Sequence, residues 1–132
     1  CLLDAPAGLG MGFRLATCGA DRCVVVTTAD ASSLRDAQHT VMELSRFPVG
    51  ALHLVVNRVR KKMLRHMHAT IDDAIDRAGL PLLGVVPEDD ALPLCMNQGV
   101  PIVLADSQNA AAAYRNIANR LQGKRVPLMR IR

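Results

Sequence analysis

Four short, nearly continuous apolar runs are spaced along the 132-residue chain, separated by polar or glycine-containing segments. Such runs are typical of strands buried on both faces, as in parallel sheets, because a half-exposed strand alternates apolar and polar positions. The first run leads to Asp4 and then into a tight loop with Pro6 and three glycines. We therefore predict four strands, over residues 1–4, 22–28, 51–57 and 82–86.

Between and after these runs, apolar residues recur at the spacing of one helix face. Ser33 and Thr70 each stand three residues before an aspartate, which is the spacing of a capping box, and Ser107 precedes the last apolar stripe. The predicted helices cover residues 33–46, 70–79 and 107–123, and a short helical turn broken by Pro93 follows the fourth strand.

Alternation of buried strands with helices predicts βαβ units with right-handed crossovers. The expected fold is a doubly wound α/β domain, with a mainly parallel sheet and helices on both faces. In such sheets ligands bind beyond the carboxyl ends of the strands, so the residues that follow each strand are the first candidates for a functional site.

Polar residues follow every predicted strand. An acid such as Asp4, closing a buried strand beside a glycine loop, suits a metal-phosphate site; it equally suits a carboxylate that caps the loop. The loop glycines do not follow the GxGxxG spacing of dinucleotide-binding proteins. Asn57 and Asp89 have the chemistry to bind an adenine or a ribose, although either one alone is more typical of a turn.

Composition indicates one folded domain rather than a disordered or membrane-spanning chain. Half of the residues are hydrophobic, and no apolar run approaches the length of a transmembrane helix. The four cysteines fit neither a zinc site nor a disulfide framework, and the pair His66 and His68 lacks a third metal ligand. Without a signal peptide in the sequence, we expect a cytoplasmic location.

The net charge of +4 comes from two local basic segments. Residues 58–68 and residues 120–132 each carry five Lys or Arg and no acid, so the rest of the chain is net acidic. Two patches of this kind do not indicate the domain-wide positive field of a nucleic-acid-binding protein.

Five segments, in this order along almost the whole chain, resemble the MinD family within the MinD/ParA group of deviant P-loop ATPases. The DAPAG sequence at residues 4–8 is similar to the switch II motif of that group. The other four are TTADASSLRDAQ at 27–38, LVVNRV at 54–59, LLGVVPEDDAL at 82–92 and NQGVPIVL at 97–104.

The resemblance implies two halves of an ATP site. On the phosphate side, Asp4 is similar to the acid that holds Mg²⁺ through water, and Gly8 to the glycine that approaches the γ-phosphate. On the base side, the residues similar to those around adenine and ribose are Asn57, Arg58, Pro87, Glu88 and Asp89.

Family properties implied by the resemblance extend beyond this site. Members dimerise around two ATP molecules, hydrolyse ATP when stimulated by MinE, recruit MinC, and bind the inner face of the cell membrane through a C-terminal amphipathic helix. The resemblance therefore predicts an ATPase of septum placement, with nucleic acid not expected as a partner.

Departures from the family limit what this chain does by itself. It contains no GxxxxGK[ST] phosphate loop, so we expect residues 1–123 to be the C-terminal part of the ATPase domain and residues 124–132 to be a basic tail. We expect this part alone neither to bind ATP tightly nor to hydrolyse it. Residues 65–69 depart from the family's loop. The tail has too few apolar residues for a stable membrane anchor.

Three alternatives remain open at the level of sequence. A ParA-type partition protein would use the basic segment at 58–68 to bind DNA. A flagellar-number regulator of the same ATPase group differs little over this stretch. A non-catalytic interaction module would act by docking a partner.

Overall fold

The structure, a computed structural model, describes residues 1–60, 76, 79–106 and 108–128. It contains three strands and five helices within those residues. In chain order they are α1 (Met11–Cys18), β1 (Arg22–Thr28), α2 (Ala31–Leu44), β2 (Ala51–Val59), β3 (Leu82–Pro87), α3 (Ala91–Asn97), α4 (Ile102–Ala105) and α5 (Asn109–Leu121).

The three strands form one parallel sheet in the order β1-β2-β3. β1 and β2 pair in continuous register from Arg22 opposite Ala51 to Thr28 opposite Asn57. The pairing of β2 with β3 shifts register between Val56 and Val59, so β2 bulges close to its carboxyl end. The prediction of a parallel α/β sheet is confirmed.

Helices cover both faces of this sheet. On one face α1 and α2 pack their apolar side chains against Leu54 and Val56, which are fully buried. On the other face α3, α4 and α5 pack against Val55 and Val86. Because successive strand residues point to opposite faces, β2 supplies side chains to both cores and is the centre of the fold.

The strand predicted over residues 1–4 is wrong. Residues 1–6 form no strand, and Leu2 is 92% exposed. Neither edge of the described sheet pairs with this segment, and an unpaired strand leaves its backbone N–H and C=O groups without partners.

The prediction that β1 is buried on both faces is also wrong. Val25 and Thr27 are buried against α2, whereas Val26, on the opposite face, is 60% exposed. The helices on that face pack mainly against β3 and, in the described part of the chain, leave Val26 uncovered.

The helix boundaries differ from those predicted in ways that local chemistry explains. α2 begins at Ala31, because the side chain of Asp30 accepts a hydrogen bond from the Ser33 N–H and is the N-cap. Pro93 does not break α3, since it lies in the first turn, where the missing N–H has no intrahelical partner.

The other helix predictions are only partly covered. The helix predicted over 70–79 and the Ser107 cap lie outside the described residues, apart from Asp76 and Gly79. α5 begins at Asn109 and ends at Leu121, two residues before Gly123, which adopts a positive φ of 81°. α1 was not predicted, because its start lies in the glycine-rich loop.

Residues 122–128, which follow α5, have no regular structure and are fastened by one side chain. Arg120 donates from Nε and Nη2 to the Val126 carbonyl, at 2.9 and 2.6 Å, and from Nη1 to the Leu83 carbonyl of β3, at 2.6 Å. All four cysteines are free. No helix in the described ranges has the length and apolar character needed to cross a membrane.

Candidate functional site

Parallel pairing brings the carboxyl ends of all three strands to one edge of the sheet. Thr28 at the end of β1 lies opposite Asn57 of β2, and Val59 lies opposite Pro87 at the end of β3. The segments predicted to flank a ligand, except the one at Asp4, are therefore neighbours in space, as expected for parallel strands.

The end of β2 has an unusual backbone at Arg58. This residue has a φ of 56°, in the left-handed region that non-glycine residues seldom occupy. Its N–H donates to Oδ1 of Asn57 at 2.9 Å. The conformation lies in the register shift between Val56 and Val59, so the bulge turns residues 57 and 58 out of the regular ladder.

Glu88 lies between two arginines across the end of the sheet. Arg60 donates from Nε to Oε2 at 2.5 Å, and Arg58 donates from Nη2 to Oε1 at 3.4 Å. The hydrogen bond and charge of Arg60, followed by those of Arg58, lower the pKa of Glu88. The same contact with Glu88 raises the pKa of Arg60.

Asp89, the next residue, connects two helices. Its Oδ1 accepts a hydrogen bond from the Ala91 N–H at 3.0 Å, and its Oδ2 accepts one from the Ala110 N–H at 3.2 Å. These N–H groups belong to the first turns of α3 and α5, which have few other acceptors. Both carboxylate oxygens are thus already engaged within the protein.

The end of β1 forms a separate polar cluster. The Thr28 hydroxyl donates to Oδ2 of Asp30 at 2.5 Å and lies 2.8 Å from the Ser33 hydroxyl. The hydrogen bonds from Thr28 and Ser33 hold the pKa of Asp30 well below its ordinary value. This carboxylate fixes the start of α2 beside the candidate site.

The other two predicted positions, Asp4 and Gly8, lie in the exposed segment before α1. Gly8 has a φ of 87°, which glycine adopts freely, and the turn is compact, since a Cβ on Gly12 would lie 2.5 Å from Cγ of Pro6. In the described residues, no hydrogen bond or ion pair joins Asp4 to the cluster around Asn57 and Glu88.

A ligand at this edge would meet a limited set of free groups. In the part of the chain that the structure describes, Nδ2 of Asn57 has no hydrogen-bond partner, so the amide can donate outward, and Arg58 is exposed. The Asp4 carboxylate is likewise exposed. Pro87 is buried.

Metal ligands are sparse over the same ranges: no three His, Cys, Asp or Glu side chains there converge on one point. The pair His66 and His68 lies outside the described residues. Holding Mg²⁺ through water from a single acid, as the resemblance implies for Asp4, needs no such cluster.

Sequence reasoning missed Arg60. Arg58 and Arg60 follow one buried strand, and an acid, Glu88, follows the next strand along the chain. Because the carboxyl ends of parallel strands share an edge, these opposite charges were the available signal for the pairing.

Comparisons with known proteins identify the relatives of this chain. No family model matches it. It is 33% identical over 130 residues to the septum site-determining protein MinD of Synechocystis sp., and 37% identical over 129 residues to that of Bacillus subtilis. These matches cover 97% and 96% of the chain but 49% and 48% of the two relatives, so the chain spans about half their length.

Solved structures agree in fold. The MinC:MinD cell division protein complex of Aquifex aeolicus has a chain that matches 96% of this one with a TM-score of 0.87 and 32% identity. MinD of Pyrococcus horikoshii, complexed with Mg-ADP, matches 89% of it with a TM-score of 0.74 and 25% identity. The matches cover 52% and 48% of those chains, so the fold is an incomplete α/β domain of the P-loop NTPase type. In sequence and in structure, the chain is a homologue of MinD proteins that matches about half of their length.

Proposed function

We propose that the chain is the C-terminal part of an ATP-hydrolysing, MinD-like protein that regulates placement of the division septum. The observation that carries this proposal is the cluster at the carboxyl ends of β2 and β3, where Asn57, Arg58 and Glu88 meet at the sheet edge that binds ligands in this class of fold. The homology of the chain to MinD proteins is the reason for proposing that the ligand of this cluster is ATP.

On the base side, we assign the direct contacts with adenine and ribose to Asn57 and Arg58. Both have donors free of partners in the described residues or exposed to solvent. Pro87 is buried, and both oxygens of Asp89 bind helix N–H groups, so we assign these two residues to the lining of the base site rather than to polar contacts with the nucleotide. Glu88 stands beside Arg58 at its rim.

On the phosphate side, Asp4 would hold Mg²⁺ through water, and the N–H of Gly8 would meet the γ-phosphate. Support comes from the exposed Asp4 carboxylate and from a relative complexed with Mg-ADP. Bound Mg-ATP supplies the phosphoryl group that is transferred to water. Because the sequence contains no GxxxxGK[ST] loop, the 132-residue chain alone lacks the main phosphate cradle and does not bind ATP tightly.

Partners follow from the relatives rather than from the described surface. The Aquifex complex supports a MinC-like partner. A MinE-like activator, an ATP-dependent self-dimer, and a location in the cytoplasm peripheral to the inner face of the cell membrane complete the proposal. The basic tail over 124–132 begins where Arg120 fastens the chain to β3.

Isothermal titration tests the proposal directly. Mg-ATP titrated into the 132-residue chain is expected to give no micromolar binding, whereas the longer protein that contains this sequence is expected to bind and hydrolyse it. Absence of ATP binding by the longer protein would overturn the assignment as an ATPase. Micromolar binding by the 132-residue chain would overturn the assignment of the phosphate cradle to another part of the protein.

The ParA-type alternative, with DNA bound at 58–68, has less support. Arg58 and Arg60, the two cations of that segment within the described residues, both face Glu88, which reduces the charge they offer to phosphates. Measurable binding of nonspecific duplex DNA by the longer protein, falling steeply with added salt, would favour the alternative instead.

A further inference from the structure

We propose that Glu88 is a positioning residue for the base site: it holds Arg58 and Arg60, and thereby fixes the bulge of β2 that presents the Asn57 amide to the nucleotide base. The inference rests on the proposed ATP-binding function. It assigns to Glu88 a task different from direct contact with the nucleotide, and it adds Arg60 to the groups that shape the site.

The left-handed backbone of Arg58 is the first support. A non-glycine residue in this region is strained, and such strain persists only where surrounding contacts fix it. Glycine would adopt a φ of 56° freely, whereas arginine needs contacts that stabilise this conformation. Two contacts do so: the N–H of Arg58 donates to Oδ1 of Asn57, and its guanidinium donates to Glu88.

Glu88 itself is fixed to the sheet. Its N–H donates to the carbonyl of Val59 at 2.9 Å, directly beyond the bulge, so the backbone of Glu88 is tied to the same strand that carries the two arginines. From this anchored position its carboxylate accepts hydrogen bonds from Arg60 at both oxygens and from Arg58 at Oε1. The bulge is therefore held by main-chain and side-chain contacts together.

The bulge sets which atoms of Asn57 face a ligand. Because Oδ1 accepts the N–H of Arg58, the amide orientation is defined, and Nδ2 is the group left free within the described residues. A free NH₂ group donates to a ring nitrogen with a lone pair, which every purine offers. If Arg58 left the left-handed conformation, its N–H would turn away from Oδ1 of Asn57, and the Asn57 amide would lose its fixed orientation.

These ion pairs are exposed, so they contribute little to the stability of the fold. Their effect should instead be on ligand binding, and only on its base-dependent part. This separation makes the proposal testable, since a ligand that carries phosphates without a base does not use Asn57.

The experiment uses the longer protein that contains this sequence and compares Mg-ATP with inorganic tripolyphosphate. Glu88→Gln removes the charge that holds the arginines, and Asp90→Asn, two residues away, is the charge-matched control, because the Asp90 side chain makes no cap hydrogen bond. We expect Glu88→Gln to raise the Kd for ATP roughly tenfold, the effect of about one lost hydrogen bond, and to leave the Kd for tripolyphosphate unchanged. Asp90→Asn should change neither constant.

A double-mutant cycle separates positioning from direct contact. In an Arg58→Gly background the left-handed conformation is free of strain, so adding Glu88→Gln should raise the Kd for ATP further by less than about twofold. An unchanged ATP Kd in the single variant, an equal loss for ATP and tripolyphosphate, or a full tenfold loss in the glycine background overturns the positioning role. If the unaltered protein binds tripolyphosphate but not ATP, the proposed function itself fails.

Discussion

The carboxylate of Asp89 binds the main-chain N–H of Ala110, 21 residues later in the chain, while its other oxygen binds the N–H of Ala91. One side chain thus serves the amino-terminal turns of two helices that pack on the same face of the sheet. Negative charge is favourable at both turns, because the N–H groups there carry the positive end of each helix dipole.

Removal of this carboxylate should destabilise the fold. We expect Asp89→Ala to lower the free energy of unfolding by about 1–3 kcal/mol, since two helix N–H groups lose their acceptor. Asp89→Asn keeps one acceptor oxygen and should lose less. Urea denaturation followed by circular dichroism measures the difference. Asp90→Ala is the control, because Asp90 has no side-chain cap bond, and equal losses at both positions would contradict the bridging role of Asp89.

Gly84 in β3 lies so close to α5 that a side chain there should destabilise the fold. A Cβ at this position would lie 2.5 Å from Cγ1 and 2.9 Å from Cδ1 of Ile117 in α5, so either the side chain or the helix must move. Gly84→Ala should destabilise the protein by about 1–3 kcal/mol, the usual cost of overpacking.

Shortening the opposing side chain tests that cause. Ile117→Ala alone should also be destabilising, but in combination with Gly84→Ala the loss should be smaller than the sum of the two single losses, because the contact that clashes is gone. Additive losses in urea denaturation would show that the close approach of α5 to β3 is not the reason for glycine at this position.

Acid should weaken the cap of α2. The pKa of Asp30 is lowered in the folded chain, so its stabilising effect is complete above its ordinary value of 3.8 and is lost as the pH falls toward the folded value. Asp30→Asn caps the helix at any pH, because asparagine is an equally good N-cap without a titrating group. The urea midpoint of the original protein should therefore fall more than that of the variant between about pH 6 and about pH 3.

The exposed Asp36 of the same helix offers a charge-matched comparison, since its side chain makes no hydrogen bond in the described residues. Asp36→Asn should retain the acid sensitivity of the original protein. A parallel pH profile for the original protein and Asp30→Asn would show that the cluster of Thr28, Asp30 and Ser33 is not a source of acid sensitivity.

Arg120 should protect the start of the basic tail from proteolysis. Arg120→Met removes all three hydrogen bonds to the Val126 and Leu83 carbonyls, so trypsin should cleave after Lys124 or Arg125 about tenfold faster, as expected for easier local opening. Mass spectrometry of timed digests identifies the cleavage site.

Arg115→Met is the matched control for this digestion. Arg115 lies on the same helix and donates to the carbonyls of Val103 and Asp106, far along the chain from the tail. Its loss removes one tryptic site, as the Arg120 variant does, but should leave cleavage after Lys124 and Arg125 unchanged. Equal acceleration in both variants would point to general loosening of α5.

The part of the fold that the sequence predicted rests on strong local patterns. The runs of branched apolar residues at β1, β2 and β3 favour strands, and the intervening helices then favour parallel pairing. The same pattern predicts Asn57 and Glu88 at one edge, because strand ends in a parallel sheet share an edge. Their roles toward a nucleotide remain predictions.

What the sequence did not predict depends on pairing between distant segments. The left-handed Arg58 follows from a register shift between β2 and β3, and arginine itself gives no sign of such a backbone. Asp89 was interpreted as a ligand contact or a turn residue, because its second partner, Ala110, is near only after β3 and α5 have packed. The strand predicted at residues 1–4 lacked a neighbour, which apolar content alone cannot supply.

The uncovered side of β1 also has a practical consequence. Val26 is exposed on β1, which lies at the edge of the described sheet and has no strand partner on one side within it, and that combination is a template for association between identical chains. A lysine at this position would place a charge on the edge without disturbing Val25 and Thr27, which face the core. The Val26→Lys variant of the 132-residue chain should therefore self-associate less at high concentration. Light scattering over a dilution series would measure this as a lower apparent mass than that of the original chain.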